Sequence, residues 1–408
     1  MANHTVNTMT TETTPTCPIH DNIDRRKSAP LAYANNKLDD GVHWVKHPAI
    51  ARKVLRSKAA IQAGAGADLL NYKSPEQAPV FFLDGEEHAK KRRRSLKFLS
   101  PKAVSEKHFA VMERFTETLL NEFKAVGHAK LEDISFRLAV EVVGEIIGLT
   151  NSNQEGKIRR IGWVLNASIS KARNTLLSRA WLNFRRVIFT GIFFYFDVRP
   201  AIKARKANPK DDALSSFIED GYSNIAIIVE CLTYGTAGML TTREFITMTA
   251  WYLFEDLPLR ERFLAGNEKE QLAILMEILR LEPIAAKIMR RVDEEVEGMQ
   301  ETPLPAGEKY DIDIRNLNIH EDLVGECPFA VDPDRAQRQN DSGKYFSFGD
   351  GPHGCPGSQV ALHETRIFLE QLFKVPGIKL DQAPAITWND MVYGYELRNA
   401  MISCTKVD

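Results

Sequence analysis

Apolar residues recur at i, i+3, i+4 spacing over residues 103–125, 132–149, 157–182, 224–256, 262–282 and 358–374, which predicts amphipathic helices there. Strand-like pieces are short and fall near 30–46, 284–292 and 376–404. The pattern describes a mainly α fold with small β-sheets at its ends. Segment 224–256 is apolar on nearly every side, so its natural place is through the middle of the molecule. At 1.5 Å per residue it spans about 50 Å. Gly235 and Gly238 inside it each cost about 1 kcal/mol relative to Ala, so a close approach to the backbone is expected at that point.

No internal repeat or Gly/Ser linker divides the chain, so residues 23–408 read as a single domain behind a Thr-rich arm at 1–22. The arm lacks the charged start and apolar core of a signal peptide. VIFTGIFFYF (187–196) falls short of the roughly 20 residues that cross a bilayer, so no transmembrane anchor is expected. A composition of 44% hydrophobic and 26% charged residues excludes disordered and fibrous classes. The five cysteines, at 17, 231, 327, 355 and 404, form neither a disulfide framework nor a CxxC spacing, so all are expected to be unpaired in a reducing cytoplasm. A net charge of −1 gives no global pull toward nucleic acid, yet it conceals strong segregation. Segment 90–97 holds six bases and no acid, 157–206 twelve bases against one acid, and 292–334 thirteen acids against two bases.

The most informative stretch is FSFGDGPHGCPGSQVALHE (346–364), a glycine-rich loop, one cysteine and then a helical run. A cysteine at a helix N-terminus meets the positive end of the dipole and free N–H groups, which favour thiolate. Glycines 349, 351, 354 and 357 let the backbone lie flat against a large planar ligand, and Pro356 suits the first helical position. A phosphatase-type Cys-x5-Arg loop is excluded because Ala361 stands where arginine is needed. A papain-like nucleophile lacks an identifiable local context, and the glycines argue against an inert buried cysteine.

Phe348, Gly351, His353, Cys355 and Gly357 match the pattern F-x-x-G-x-H-x-C-x-G, and here the sequence resembles the cytochrome P450 family of haem-thiolate monooxygenases. Three further matches occur in the family's order: His88 with Arg92 as H-x-x-x-R, AGMLTT (237–242) as the oxygen-activating helix, and Glu277 with Arg280 as E-x-x-R. Taken alone, His88 and Arg92 could belong to a basic helix face, and Glu277 and Arg280 to a solvated i,i+3 pair. The resemblance implies haem b (iron protoporphyrin IX), with Cys355 as its metal ligand. It also implies propionate contacts from His88, Arg92, Arg290 and His353, contacts from Phe348, Gly349, Ala237 and Gly238, and a buried structural Glu277–Arg280 pair. Cys17-Pro18 and Cys327-Pro328 lack the glycine loop and are not alternative ligands.

The implied function is oxidation, foremost hydroxylation, of a bulky hydrophobic small molecule with electrons from outside. One departure stands out. Thr241 supplies the family's alcohol, but the neighbouring acid is Leu240, which cannot relay a proton. Candidate substitutes are water held by Thr241 and Thr242, Glu244 one turn on, or a polar group of the substrate. Peroxide-driven chemistry, oxidative coupling, and a turnover-deficient haem sensor or carrier stand as alternatives. The resemblance places the substrate pocket among Thr233, Ala237 and Thr241, the loop at about 62–82, Ala286 and Lys287, and the turn Val392–Tyr395 with Tyr393. Lys287 is either a solvated strand-edge lysine or an anchor for an acidic or carbonyl group. Segment 157–206, with Phe189, Phe193, Phe194, Tyr195 and Phe196, forms the lid; it reads as lid packing with a solvated outer face, the alternative being a peripheral membrane surface. A ferredoxin or flavodoxin-type donor is expected on the basic face near Lys91 and Arg93 of a monomer, with no nucleic-acid partner. Pro356 has no N–H to offer the cysteine sulfur, which should leave the thiolate more electron-donating.

Overall fold

The structure, a computed structural model, describes residues 23–31, 42–64, 74–173, 175–296, 304–339, 345–390 and 392–406. The expected arm at 1–22, most of the strand expected at 30–46 and part of the loop at 62–82 lie outside the described residues.

The apolar run becomes one helix, Asn224–Glu255, through the core. Ser223 caps it by accepting from the Ala226 N–H at 3.2 Å. Its middle widens into a π-helical turn over Gly235–Leu240, a distortion common at functional sites. A Cβ on Gly238 would lie 3.2 Å from Val143 Cγ2, and one on Gly235 3.3 Å from Leu165 Cδ2. The close approach expected from the glycines is therefore made by two neighbouring helices, Leu131–Ile147 and Gln154–Ile169. Leu240 and Met239 are buried in the same core as Val140 and Val143.

Two expected helices are each broken in two. The run 157–182 divides into Gln154–Ile169 and Leu176–Phe193. The Arg186 guanidinium donates to the carbonyls of Ala167, Ser168 and Ser170 at 3.0–3.1 Å, closing the first helix, and the Thr175 hydroxyl caps the second. The run 262–282 divides into Leu257–Ala265 and Glu268–Leu281 at a reciprocal capping box between Asn267 and Glu270. That box is visible in the sequence as N-x-x-E.

The larger sheet orders its strands Val42–Val45, Lys309–Asp313, Lys287–Val292 and Ala60–Ala63; only the first pairing is parallel. Lys309–Asp313 escapes the hydrophobic pattern because two of its buried positions are Asp311 and Asp313. Near the C-terminus, Ala385–Asn389 pairs with Gly394–Arg398 as a hairpin.

Glu277 and Arg280 are buried and joined by two hydrogen bonds of 3.0 and 2.9 Å. Arg280 also donates to the carbonyls of Asn318, Pro328 and Ala330. Arg335, unforeseen in the sequence, donates to Glu277 at 3.3 Å and to the carbonyls of Val324 and Cys327, while the Tyr345 hydroxyl donates to Glu277 at 2.7 Å. This hub ties the helix that bears Glu277 to the chain leading into the cysteine loop. Cys327 is disulfide-bonded, which corrects the expectation of five unpaired cysteines; Cys231, Cys355 and Cys404 are free.

Candidate active site

The loop after Tyr345 makes a tight turn over Phe346–Phe348, reverses at Gly349 (φ +69°), turns again over Gly351–His353 and presents Cys355. The Cys355 N–H donates to the Phe348 carbonyl at 2.7 Å. Gly351 is required by space as well as by φ: a Cβ there would lie 2.3 Å from the Leu55 carbonyl oxygen, so the loop rests directly on helix Pro48–Arg56. Helix Ser358–Leu372 begins after Gly357, so Pro356 stands ahead of the helix and not at its first position.

Between this loop and the central helix lies a cavity of about 350 Å³. Thr233, Ala237, Gly238, Thr241 and Thr242 line one wall; Phe348, Gly349 and Cys355 line the other. Cys355 and Ala237 retain accessible surface deep inside the protein because both face this space. A Cβ on Gly357 would meet nothing within 4 Å. A larger cleft of about 580 Å³ reaches Cys355 from the opposite side, but it does not touch the central helix. Burial pushes the Cys355 thiol up, opposed by the N–H groups of Gly357 and Ser358 and by Arg92. In the protein alone, burial thus outweighs the helix-terminus effect.

His88 and His353 stack with ring centroids 3.9 Å apart at the cavity rim. His353 Nε2 lies 3.1 Å from Asp84 Oδ1, and Asp84 also accepts from the Gln62 N–H at 3.0 Å. Asp84 precedes helix Gly85–Leu99 as its N-cap residue but turns its carboxylate to these partners. Burial alone would raise its carboxyl; the hydrogen bonds from His353 and Gln62 leave it below its usual value. Burial, then His353 and Arg92, push His88 down to about 4. Arg92 lines the cavity and donates to the Gly354 carbonyl. Arg290 is buried behind the rim, donates to Gln62 at 2.8 Å and is pushed by burial to about 10. Sequence reasoning missed Asp84, whose position before Gly85 reads only as a helix cap.

The site thus holds a slot bounded by glycines and alanine, one soft sulfur ligand inside it, and a cluster of cationic and imidazole donors at one edge. A flat, dianionic metallocycle such as haem b fits that donor set. Among the described residues, His47, His320 and Asp322 form a further cluster of three potential metal-ligand groups. There Nδ1 of His47 accepts from the Ala49 N–H, Nδ1 of His320 accepts from the Asp322 N–H, and His47 Nε2 lies 3.1 Å from Asp322 Oδ2.

Several expected residues lie elsewhere. Glu244 points away from the cavity: it accepts from Arg243 at 2.8 Å, from the Leu397 N–H at 2.8 Å and from Arg398 at 2.9 Å, pinning the C-terminal hairpin to the central helix. Ala286 and Lys287 are replaced at the wall by Ile284, Ala285 and Ile288. Ala286 is buried with its N–H on the Tyr393 carbonyl at 2.8 Å. Lys287 is half-buried and does not line the cavity; its ammonium pairs with Asp311 at 2.8 Å and lies over the Tyr393 ring. Tyr393 is therefore held by the strand and does not line the cavity. Lys91 is buried, donating to Glu230 and to the carbonyls of Glu76 and Ala78, so it cannot meet a partner protein. Arg93 is exposed, on the same face as Lys90 and Lys97.

Residues 272–381 match the family model of cytochrome P450. Cytochrome P450 109 of Bacillus spizizenii is 24% identical over 371 residues, 88% of this chain and 84% of that one. Erythromycin C-12 hydroxylase of Saccharopolyspora erythraea is 23% identical over 338 residues, 81% of each. The solved structure of substrate-free CYP109E1 from Bacillus megaterium superposes with a TM-score of 0.74 at 20% identity, covering 92% of this chain and 97% of that one. The sequence pattern at the cysteine, the family match and the shared architecture agree, and the chain has the cytochrome P450 fold.

Proposed function

We propose that this protein is a haem-thiolate monooxygenase that oxidises a bulky, largely apolar small molecule with electrons supplied by a separate protein. The observation that carries the reading is the accessible cysteine of the family pattern facing Ala237, Gly238 and Thr241 across one interior cavity. Cys355 would hold the iron, and His88, Arg92, His353 and Arg290 the two carboxylates. When bound, haem on a cysteine thiolate supplies reductive O–O cleavage and transfer of one oxygen atom to the substrate.

The chain's own residues shape what surrounds that chemistry. Val80, Phe81, Val143, Phe245, Ile284 and Ile288 give the cavity apolar walls that exclude water and select apolar ligands. The Thr241 hydroxyl donates to the Ala237 carbonyl at 2.6 Å, leaving its lone pairs to hold a water or a substrate hydroxyl. Among the described residues no carboxylate lines the cavity, Leu240 packs into the core, and Glu244 is committed to the hairpin. Protons for the reductive route must then pass through water held at Thr241 and Thr242 or through the substrate.

The same observation favours a second reading. Reductive turnover consumes two electrons and two protons per oxygen atom inserted, whereas hydrogen peroxide brings both with it, so a site without an acid suits peroxide-driven turnover. The names of the relatives, an erythromycin hydroxylase and a steroid C26-monooxygenase, support macrocyclic or polycyclic substrates. A thiolate-type band in the reduced-CO spectrum, followed by spin-state titration against such compounds, tests the class. Turnover with a reductase system and with peroxide, for wild type and Leu240→Asp, tests the route: the reductive reading expects the substitution to raise reductive turnover, and no change in either rate would make the missing acid irrelevant.

A further inference from the structure

Helix Leu176–Phe193 of the lid turns its apolar side outward. It buries only Leu182 and Phe193. Leu176 is 84% exposed, Leu177 85%, Val187 71%, Trp181 60% and Phe184 55%, and Ile188 is also exposed. At 100° per residue these side chains fall within an arc of roughly 140° that also contains Ala180 and Gly191. A Cβ on Gly191 would meet nothing within 4 Å. Tyr195 and Phe196 extend the patch beyond the helix end. Phe193 packs into the core with Phe189 and Phe194 against it, as lid packing expects, while the outer face is apolar, and a contiguous apolar face of this kind is the usual mark of a binding surface.

The rim of the patch is cationic. The one acid between residues 157 and 206, Asp197, is buried and taken up by Arg160 through two 2.7 Å bonds. Lys157 and Arg205 pair internally with Glu141 and Asp212. Arg159, Arg185 and Arg199 lie instead over the rings of Trp163, Phe189 and Tyr195 at 5.3–5.4 Å, with no carboxylate recorded against them among the described residues. Lys203 and Lys206 are exposed on the next helix.

We propose that this face docks the protein in the plane of an anionic lipid bilayer, apolar residues among the acyl chains and the basic rim on the headgroups. A second copy of the chain suits the surface less well, because a twofold contact would set this basic rim against the same basic rim of the partner copy. Anionic headgroups neutralise the rim while the aromatic and aliphatic side chains leave water, the combination that holds amphipathic helices at interfaces. The docking does not depend on what the cavity oxidises.

The test is flotation of the full-length, haem-loaded protein with vesicles of phosphatidylcholine alone or mixed with phosphatidylglycerol. The protein should float with the mixed vesicles and bind them about tenfold more tightly than neutral ones. The double variant Leu177→Glu/Phe184→Glu should bind at least about tenfold more weakly with its absorbance spectrum unchanged, and Arg185→Glu should reduce the preference for phosphatidylglycerol. Failure of the wild type to float, equal flotation of the double variant, or equal binding to both vesicle types would overturn the proposal. So would a wild-type dimer in sedimentation velocity that Leu177→Glu dissociates, which would give the face to a second copy.

Discussion

Glu364 sits on the helix behind the cysteine loop, fully buried, and among the described residues neither carboxylate oxygen has a hydrogen-bond partner. Burial alone pushes its pKa from 4.5 to about 8. Between those values the folded chain keeps a proton that the unfolded chain has released, so the unfolding free energy falls as pH rises, by about 1.4 kcal/mol per unit. At pH 7 the accumulated cost is about 3 kcal/mol; below pH 4.5 both states are protonated and the effect vanishes. Glu364→Met replaces the carboxyl with an apolar side chain of similar length. The variant should be more stable than wild type by an increment that grows by about 2 to 3 kcal/mol from pH 5 to pH 7.5. Urea unfolding of the haem-loaded proteins across that range gives the difference between variant and wild type at each pH. A difference independent of pH, or a variant that loses stability relative to wild type as pH rises, would refute the reasoning.

Four other substitutions have expected outcomes. Arg335→Leu strips a buried guanidinium from Glu277 and from the Val324 and Cys327 carbonyls, and should cost about 3–5 kcal/mol in urea unfolding. Lys91→Ala should lower stability because Glu230 is left buried and unpaired, whereas Arg93→Glu should leave stability unchanged and slow electron delivery from an acidic donor in stopped-flow reduction. Pro356→Leu adds an N–H next to the Gly357 and Ser358 donors to sulfur and should raise the haem reduction potential; a redox titration showing no rise would count against it.

Most of the fold and the chemical centre of the site could be read from residue order. Helical periodicity located the central helix and the helix behind the cysteine, because burial on one or all faces leaves a regular mark. The glycine loop around Cys355 was legible because its conformation needs particular residue types at fixed offsets. Breaks inside helices were less visible: the Asn267–Glu270 box left a local signal, but the close at Ile169 depends on Arg186, which reaches back from the following helix.

Direction is what the chain order left open. Spacing placed Glu244 one turn from Thr241, and only the packed hairpin, offering the Leu397 N–H and Arg398, turned its carboxylate away from the cavity. Ala285 stands at the wall in place of Ala286 because, just ahead of strand Lys287–Val292, the Ala286 N–H is held on the Tyr393 carbonyl and the residue is buried away from the cavity. Lys91 belonged to a basic run yet lies buried on Glu230, and of the aromatic run at 189–196 Phe193 packs into the core while Tyr195 and Phe196 face outward with Leu176, Leu177, Trp181 and Phe184. The sequence by itself determined the helical architecture, the cysteine and its glycine cradle, because these rest on local conformation and periodic burial. Tertiary structure decided which charged groups are spent on internal partners and which apolar faces remain uncovered, because both depend on segments that meet only after folding.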